Sequence, residues 1–255
     1  MLIKAKTLEG FKLNSLDGEI GKVKEFYFDD QHWTIRYLVA DTEDWMTGRQ
    51  VLISPYALVD ADKEDHYITV DLTKKQIESS PSLDSDKPVS QQFETDYYGY
   101  YGYPMYWGGL SMWGAYPYIQ RDREQWDTTP AEKKGDPNLR STREVSGYHI
   151  QATDSEIGRV EDFIVDYETW AIRYLIVDTA NWWSGKKVLV SPQWIERVSW
   201  DESKVFINLP REIIQQSPEY RQEILHMRDY ETRLHQHYNR QGYWVDDSKD
   251  LVRPM

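Results

Sequence analysis

The chain contains one long segment twice. Residues 17–55 align with residues 154–192 without a gap, at an offset of 137 residues, and 20 of the 39 aligned positions are identical. Most differences are conservative, such as Lys22 opposite Arg159. Segments this similar arise by tandem duplication, and the copies adopt the same fold. The chain is therefore predicted to hold two equivalent domains joined by a linker.

Each copy has the pattern of a small all-β domain. Aromatic and β-branched residues are dense in it, and turn signals recur about every 8–12 residues. Gly21 and Gly158 lie inside apparent strands, which indicates a bulge or a tight bend at each. A short helix is predicted after the last strand of each copy, at residues 73–81 and 211–220. About 70 residues in this arrangement predict a small closed barrel, because closure removes exposed sheet edges.

Four motifs recur in the same order in both copies: D-x-E-I-G-x-V, F-x-x-D, W-x-I-R-Y-L-x-x-D-T and G-[RK]-x-V-L-[IV]-S-P. The pattern resembles the PRC-barrel domain, which forms the cytoplasmic part of the H subunit of the photosynthetic reaction centre. The same domain forms the C-terminal part of the bacterial ribosome-maturation factors. The resemblance covers residues 10–82 and 147–219. Unlike the H subunit, this sequence shows no N-terminal transmembrane segment, and unlike the maturation factors it has two PRC-like copies.

The resemblance and the duplication together predict a mainly β fold with two PRC-like small barrels. Each barrel is followed by a short helix and an aromatic Tyr-Trp extension, with a longer helix near the C-terminus. The predicted segments are repeat 1 at 1–82, an aromatic extension and linker at 83–141, repeat 2 at 142–219, and a helical extension and tail at 220–255. Equivalent surfaces on the two copies are compatible with pairing of the barrels within one chain or with a homodimer.

The aromatic stretch YYGYYGYPMYWGGLSMWGAYPY at residues 97–118 belongs to the repeat as far as Trp107, whereas residues 108–120 have no counterpart in the second copy. The same offset places Glu94 opposite Glu231 and the Tyr106-Trp107 pair opposite Tyr243-Trp244. In the second copy this region, EYRQEILHMRDYETRLHQHYN, has the pattern of an amphipathic helix. The Gly and Pro residues of the first copy predict that it is not helical throughout. Three interpretations remain open: packing on a barrel, docking of a partner, or disorder.

Aromatic residues outside the strand pattern are the candidates for contacts with a partner protein, because Trp and Tyr dominate interface hot spots. Some precede the glycine of the strand-joining loop, and the others lie in the extensions. The candidate set is Trp45, Trp107, Trp113, Tyr116, Trp182, Trp183, Tyr243 and Trp244.

No catalytic, cofactor or metal site is predicted, and the chain is expected not to be an enzyme. It lacks cysteine and has no P-loop, no dinucleotide-binding glycine motif and no H-E-x-x-H motif. His235 and His237 lie two apart on the predicted helix, so they point about 200° apart and cannot both bind one metal ion from the same face. They are expected to be solvated. Two pairs of acids are repeated, Asp29 with Asp166 and Asp41 with Asp178, and they are expected to be structural. Asp41 and Asp178 end a strand, where Asp commonly bonds to turn amides.

Arg36 and Arg173 occupy matching places in the I-R-Y-L run of the two copies. Strand alternation puts them on the face opposite their apolar neighbours. They are expected to pair with acids on the barrel exterior or where the two barrels meet.

The formal net charge of -13 predicts that direct binding of nucleic acid is unfavourable, because a negative field repels phosphate groups. No run approaches the roughly 20 apolar residues of a membrane span, and the N-terminus has no secretory pattern. The sequence therefore predicts a cytoplasmic protein that reaches a membrane only through a partner.

Three functions fit these observations. The first is a non-catalytic adaptor that docks onto a larger assembly, by resemblance a photosynthetic reaction-centre or electron-transfer complex. The second is a ribosome-assembly protein that binds a ribosomal protein. The third is an aromatic-lined binder of a small molecule or carbohydrate.

Overall fold

The computed structural model describes residues 1–42, 45–46, 49–84, 89–107, 139–179, 185–224 and 228–245. The chain divides into two compact units. The first-repeat unit contains Lys4–Glu144 together with Asp166–Ala171. The second-repeat unit contains Met1–Ile3, Val145–Val165 and Ile172–Met255.

Short strands dominate the first half of the chain, as the sequence predicts. Aromatic and β-branched side chains fill them and alternate between the buried face and the outer face. The elements in chain order are β1 Leu2–Lys4, α1 Ala5–Leu8, β2 Lys12–Ser15, β3 Gly18–Asp29, β4 Thr34–Asp41, β5 Arg49–Ile53, β6 Leu58–Asp62, β7 Tyr67–Val70, α2 Lys74–Glu78, β8 Leu83–Asp84 and α3 Gln91–Tyr101.

The second half repeats this order. A short 3₁₀ turn at Pro55–Ala57 precedes β6, and its counterpart at Pro192–Trp194 precedes the strand Ile195–Ser199. The remaining elements are β9 Leu139–Ser141, α4 Thr142–Val145, β10 His149–Gln151, β11 Glu156–Asp166, β12 Ala171–Asp178, β13 Lys187–Val190, β14 Ile195–Ser199, β15 Lys204–Ile207, α5 Arg211–Gln215 and α6 Arg228–His237.

The two units have the same strand topology. In the first-repeat unit β2, β3, β4 and β5 pair antiparallel in succession, while β2 pairs in parallel with β7, which pairs with β6. In the second-repeat unit β10 pairs with β11, β12 with β13, and β10 in parallel with β15, which pairs with β14. The predicted mainly β fold with two small barrels is confirmed.

Both predicted glycine irregularities are confirmed. Leu13 pairs with Gly21 and Asn14 with Glu19, so β3 carries one extra residue at this point. Gly21 has a φ of +127°, and a Cβ added to it would lie 2.0 Å from the carbonyl oxygen of Asp41. Gly158 has a φ of +153° and the same close approach to a backbone carbonyl. Only glycine fits, because any side chain would meet backbone there.

The predicted helices form but are shorter than expected. Helix α2 begins with a capping box in which Thr73 and Gln76 exchange hydrogen bonds. A continuous helix is expected from residue 219 onward, and this expectation is wrong for residues 220–224. The backbone N–H of Tyr220 donates to the carbonyl oxygen of Lys187 at 2.8 Å. That bond holds Tyr220 beside β13, and the described residues that follow it, Gln222–Ile224, form a 3₁₀ turn and not an α-helical turn.

Each unit includes a strand that precedes the other repeat in the sequence. Strand β1 pairs with β11 and contributes the buried side chains of Leu2 and Ile3 to the second-repeat unit. Strand β9, which lies 137 residues after β1, pairs with β3 in the first-repeat unit. The strand that precedes repeat 1 therefore belongs to the second-repeat unit, and the strand that precedes repeat 2 belongs to the first-repeat unit.

Candidate functional site

The first extension, residues 90–107, is a helix followed by a short returning segment. Ser90 caps α3 by accepting a hydrogen bond from the N–H of Phe93 at 3.2 Å. The helix ends at Gly102, whose φ of +67° is the left-handed conformation common at helix C-termini. The expectation that this stretch is not helical throughout is confirmed. The turn at Gly102 directs residues 103–107 back along the helix.

A buried polar cluster holds the first extension on its barrel. The hydroxyl of Tyr37 donates to Oε1 of Glu94 at 2.9 Å, and the hydroxyl of Tyr106 donates to the same oxygen at 2.8 Å. The guanidinium carbon of Arg36 lies 4.0 Å from the centre of the Tyr106 ring. We call Arg36, Tyr37, Glu94 and Tyr106 the first cluster. It joins strand β4, helix α3 and the returning segment through one carboxyl group.

Arg36 is fully buried and paired with Asp29. Its Nη2 lies 2.6 Å from Oδ2 of Asp29, which also accepts from Nδ1 of His32 at 2.8 Å. Burial raises the pKa of Asp29, but His32 and Arg36 outweigh it and hold that pKa well below its usual range. The expected partner acid is present, but Arg36 is buried and not exposed on the barrel exterior. The first extension covers this face of β4 and removes Arg36 from solvent.

Asp29 also has a structural role in a turn, which agrees with the general expectation for the repeated acids. Its Oδ1 accepts from the backbone N–H groups of Gln31 and His32. Asp166 does the same for the N–H of Glu168 at 3.3 Å. The repeated acids therefore shape equivalent turns, and Asp29 has the added task of neutralising Arg36.

The same cluster occurs in the second-repeat unit, with every member 137 residues further along. The hydroxyls of Tyr174 and Tyr243 donate to Oε1 of Glu231 at 3.0 Å and 2.9 Å. The guanidinium carbon of Arg173 lies 4.1 Å from the centre of the Tyr243 ring. We call Arg173, Tyr174, Glu231 and Tyr243 the second cluster. Its recurrence shows that the cluster belongs to the duplicated design of the protein.

The two clusters differ at the second carboxyl oxygen. Oε2 of Glu231 lies 2.8 Å from Nη1 of Arg228. Oε2 of Glu94 is buried and has no hydrogen-bond partner among the described residues. Burial raises the pKa of Glu94 to about 7, and it raises that of Glu231 against the opposing charge of Arg228. Of these two glutamates, Glu94 is therefore the one whose charge is less compensated.

The expectation of a solvated face at His235 is wrong. Its Nε2 lies 2.9 Å from the hydroxyl oxygen of Tyr174, and its ring packs against Trp194 and Trp244. Burial lowers the pKa of His235. His235 is buried because the second extension, whose described residues 228–244 include α6 and the Tyr243-Trp244 pair, covers β12 as the first covers β4.

No group of three or more potential metal ligands occurs in the part of the chain that the structure describes. His237 places its Nε2 2.7 Å from the carbonyl oxygen of Ile213, so it serves a backbone group. His226, which the sequence places next to these histidines, lies outside the described residues.

The rings of the first extension pack on the barrel and on one another. Tyr97 donates its hydroxyl to the carbonyl oxygen of Leu52 and accepts from the N–H of Ser54, both at 3.0 Å. Tyr98 is fully buried, with its ring 5.8 Å from that of Tyr106 and 5.5 Å from that of Trp107. For residues 93–107 the interpretation of packing on a barrel is confirmed.

The candidate interaction residues fall into three groups. Trp107 and Trp244 are half-buried at the ends of the two extensions, and Trp45 is half-buried with its indole N–H donating to Glu78 at 2.9 Å. Tyr243 is buried in the second cluster. Four further candidates lie outside the described residues, and the role of the whole set in partner contacts stays a prediction. These four are Trp113, Tyr116, Trp182 and Trp183.

Sequence reasoning missed the two clusters although their signal was present. The offset of 137 aligns Glu94 with Glu231 and Tyr37 with Tyr174, so the same polar residue types recur in an otherwise apolar setting. What the repeat does not show is that the carboxyl and hydroxyl groups meet. They are separated by 57 residues in each half.

Fold and site together define a protein of two equivalent small β-barrels, each carrying an aromatic extension held by a buried Glu–Tyr–Arg cluster. The family model of the PRC-barrel domain matches residues 2–77 and 138–214, which is more than half of the chain. The chain therefore belongs to the PRC-barrel family, with two copies of the domain in tandem.

A curated relative offers a partial match. An uncharacterized protein of Deinococcus radiodurans is 32% identical over 106 residues, which cover 38% of this chain and 38% of the relative. The chain thus spans well under half the length of that protein. Separately, no helix among the described residues is both long enough and apolar enough to cross a membrane.

Proposed function

We propose that this protein is a non-catalytic adaptor that docks onto a larger protein assembly through its PRC-barrel domains. One observation carries the proposal: the Glu–Tyr–Arg cluster that both halves share is buried. Arg36, Tyr37 and Glu94 are each 0% exposed. A catalytic acid, base or nucleophile must reach its substrate, whereas a closed cluster holds a scaffold. The function then depends on the exposed surface of the two extensions, which the clusters hold in place on the barrels.

The ends of the two extensions are the best-supported docking surface. Trp107 and Trp244 occupy equivalent places, each half-buried and packed at about a right angle on the tyrosine that precedes it. A Trp ring fixed on one side and open on the other is a typical interface anchor, because little conformational entropy is lost on binding. The other aromatic candidates of the sequence are proposed to extend this surface.

The partner is proposed by family resemblance to be a photosynthetic reaction-centre or electron-transfer complex, reached from the cytoplasm. The net charge of -13 favours a partner with a basic surface and disfavours direct contact with nucleic acid. A basic ribosomal protein satisfies the same charge rule and is the alternative partner. A small-molecule site gains less support, because the rings of residues 93–107 pack on the barrel and on one another.

The test is affinity purification of the tagged protein from its native cells, with and without nuclease, read by mass spectrometry. The double variant Trp107→Ala with Trp244→Ala is expected to lose the partner while keeping its circular dichroism spectrum. Trp200→Ala is the matched control, because Trp200 is also half-buried but lies outside the extensions.

The recovered proteins decide between the partners. Membrane electron-transfer subunits support the reaction-centre-like adaptor, and ribosomal proteins that survive nuclease support the assembly factor. If wild-type protein recovers nothing above the background of an untagged strain, the adaptor proposal fails for that growth condition.

A further inference from the structure

The first-repeat unit carries a pocket away from both clusters. It has a volume of about 220 Å³ and lies between the β6–β7 hairpin and the turn Asp166–Ala171, which belongs to the same unit. Three kinds of side chain line it: apolar, acidic and aromatic. The residues that matter are Leu58, Val59, Asp60, Tyr167, Glu168 and Trp170.

The exposed rim of this pocket is acidic. Asp60 and Glu168 come from opposite sides and are both exposed. Burial raises the pKa of the Tyr167 hydroxyl, and the charges of Glu168, Asp60 and Asp166 raise it further. These carboxylates therefore act on one spot, and a cationic group placed there would interact favourably with all three.

The floor of the pocket is aromatic. Trp170 is only 2% exposed, and Tyr167 is half-buried beside it. The face of the Tyr167 ring already attracts a cation, since Nζ of Lys63 lies 5.0 Å from its centre. Val59 at the rim is 58% exposed, so its side chain offers apolar contact area next to the pocket.

A buried donor adds a second requirement. The indole N–H of Trp170 has no hydrogen-bond acceptor among the described residues. A buried donor without an acceptor is costly, and Trp170 lines the pocket, so a ligand whose carbonyl oxygen comes within reach of this N–H would gain a hydrogen bond. A peptide segment supplies such an oxygen next to each of its side chains.

The pocket is not a by-product of the duplication. The turn itself is repeated, with Trp33 and Trp170 at equivalent positions and φ values of 53° and 60°. The chemistry of the pocket is not repeated. The residues 137 positions away are Arg197 in place of Asp60, Asp30 in place of Tyr167 and Gln31 in place of Glu168. The barrel folds in the second copy without this acidic and aromatic combination, so the fold does not require it.

We propose that this pocket binds an arginine side chain of the docked protein partner, in an extended segment of its chain. The guanidinium takes the place of the Lys63 ammonium over the Tyr167 ring, and Asp60 and Glu168 pair with its edge. The apolar stem of the arginine covers Val59. The inference rests on the proposed adaptor function, because it names the chemistry by which that function recognises its partner.

The first test uses a small probe. N-acetyl-arginine methylamide is titrated into the ¹⁵N-labelled full-length protein, and its uncharged analogue N-acetyl-citrulline methylamide is the control ligand. We expect the arginine probe to shift the indole N–H signal of Trp170 and the amides of β6 and of the turn. The double variant Asp60→Asn with Glu168→Gln should weaken binding about tenfold, as two partly exposed charge pairs would.

Glu64→Gln with Glu202→Gln is the matched variant, because both residues are exposed acids that do not line the pocket. It should bind the probe as the wild type does. Equal binding of the citrulline probe, unchanged affinity in the double variant, or shifts confined to other parts of the chain would each overturn the inference.

The second test separates this inference from the proposed function. The affinity purification is repeated with the Asp60→Asn, Glu168→Gln variant. Loss of a partner that the wild type captures supports the arginine pocket. Capture of the same partner at the wild-type level overturns the pocket and leaves the adaptor function standing. If the wild type captures nothing, the adaptor function fails, and the probe titration alone decides whether the pocket binds a guanidinium group.

Discussion

Tyr37 donates its hydroxyl hydrogen to Glu94 over 2.9 Å, and this bond spans 57 residues of the chain. Tyr174 and Glu231 repeat the relationship at 3.0 Å over the same separation. Each bond connects the central strand of a barrel to the extension that covers it. Because both partners are buried in the first cluster, water cannot replace either one, and the bond decides where the extension lies.

Removing the carboxyl group of Glu94 is expected to destabilise the protein. Glu94→Ala leaves the buried hydroxyls of Tyr37 and Tyr106 without their acceptor and opens a cavity. The expected loss in the free energy of unfolding is on the order of 2–5 kcal/mol, measured by urea denaturation. Glu94→Gln keeps an acceptor oxygen and should lose less. A loss below about 0.5 kcal/mol in Glu94→Ala would contradict a holding role for the cluster.

Glu94 is also expected to make stability depend on pH. Its pKa is about 7 in the folded protein, compared with 4.5 for an ordinary glutamate, so folding favours the protonated form. The contribution of Glu94 is complete below about pH 4.5 and falls as the pH rises to about 7, by on the order of 3 kcal/mol.

The measurement is the difference in unfolding free energy between wild type and Glu94→Gln from pH 5 to 8. Taking this difference cancels the contribution of His235, whose lowered pKa makes the stability rise with pH in part of this range. Asp29 does not interfere, because its lowered pKa affects stability only at more acidic pH. A difference that does not change with pH would show that Glu94 keeps an ordinary pKa.

The two bulge glycines are expected to tolerate no side chain. In Gly21→Ala and Gly158→Ala the new Cβ would lie 2.0 Å and 2.2 Å from a backbone carbonyl oxygen. Neither neighbour is a flexible side chain, so each substitution should cost at least about 3 kcal/mol by thermal or urea denaturation. Gly10→Ala is the control, because Gly10 has a φ of +83° but no atom within 4 Å of the new Cβ. It should lose only about 1 kcal/mol, and equal losses in all three would argue against the steric explanation.

The first strand is expected to stabilise the second-repeat unit. Leu2→Ser with Ile3→Ser removes two buried apolar side chains from β1, which pairs with β11. Hydrogen exchange should then accelerate at Glu156–Asp166 more than at Gly18–Asp29, because the lost burial belongs to that unit. Thr7→Ser, an exposed change in the following helix, is the control. Faster exchange confined to Gly18–Asp29 would contradict the strand assignment.

Much of the fold was predictable from local pattern. Alternating apolar residues, repeated turn signals and the constant offset of 137 identify the strands, the short helices and the two copies. Gly21 and Gly158 mark the bulges because a glycine inside a strand is costly without a steric reason. The length of the C-terminal helix was not predictable, because the bond from Tyr220 to Lys187 that shortens it joins distant parts of the chain.

The candidate site was predictable only in its residue types. The repeat aligns Glu94 with Glu231 and shows that each half carries an extension ending in Tyr-Trp. It does not show what covers the outward face of β4, so Arg36 was expected outside and is buried. His235 was misplaced for the same reason, since helical periodicity identifies a polar face but not the neighbour that buries it.

The sequence alone therefore determined the duplication, the strand pattern and the family, because these depend on neighbouring residues and on comparison of one half with the other. Only the tertiary structure decided which unit receives strand β1, which groups meet Glu94, and which turn completes the pocket beside β6. Those contacts join residues far apart in the chain. Their free energy comes from burial and hydrogen bonds that exist only once the elements have packed.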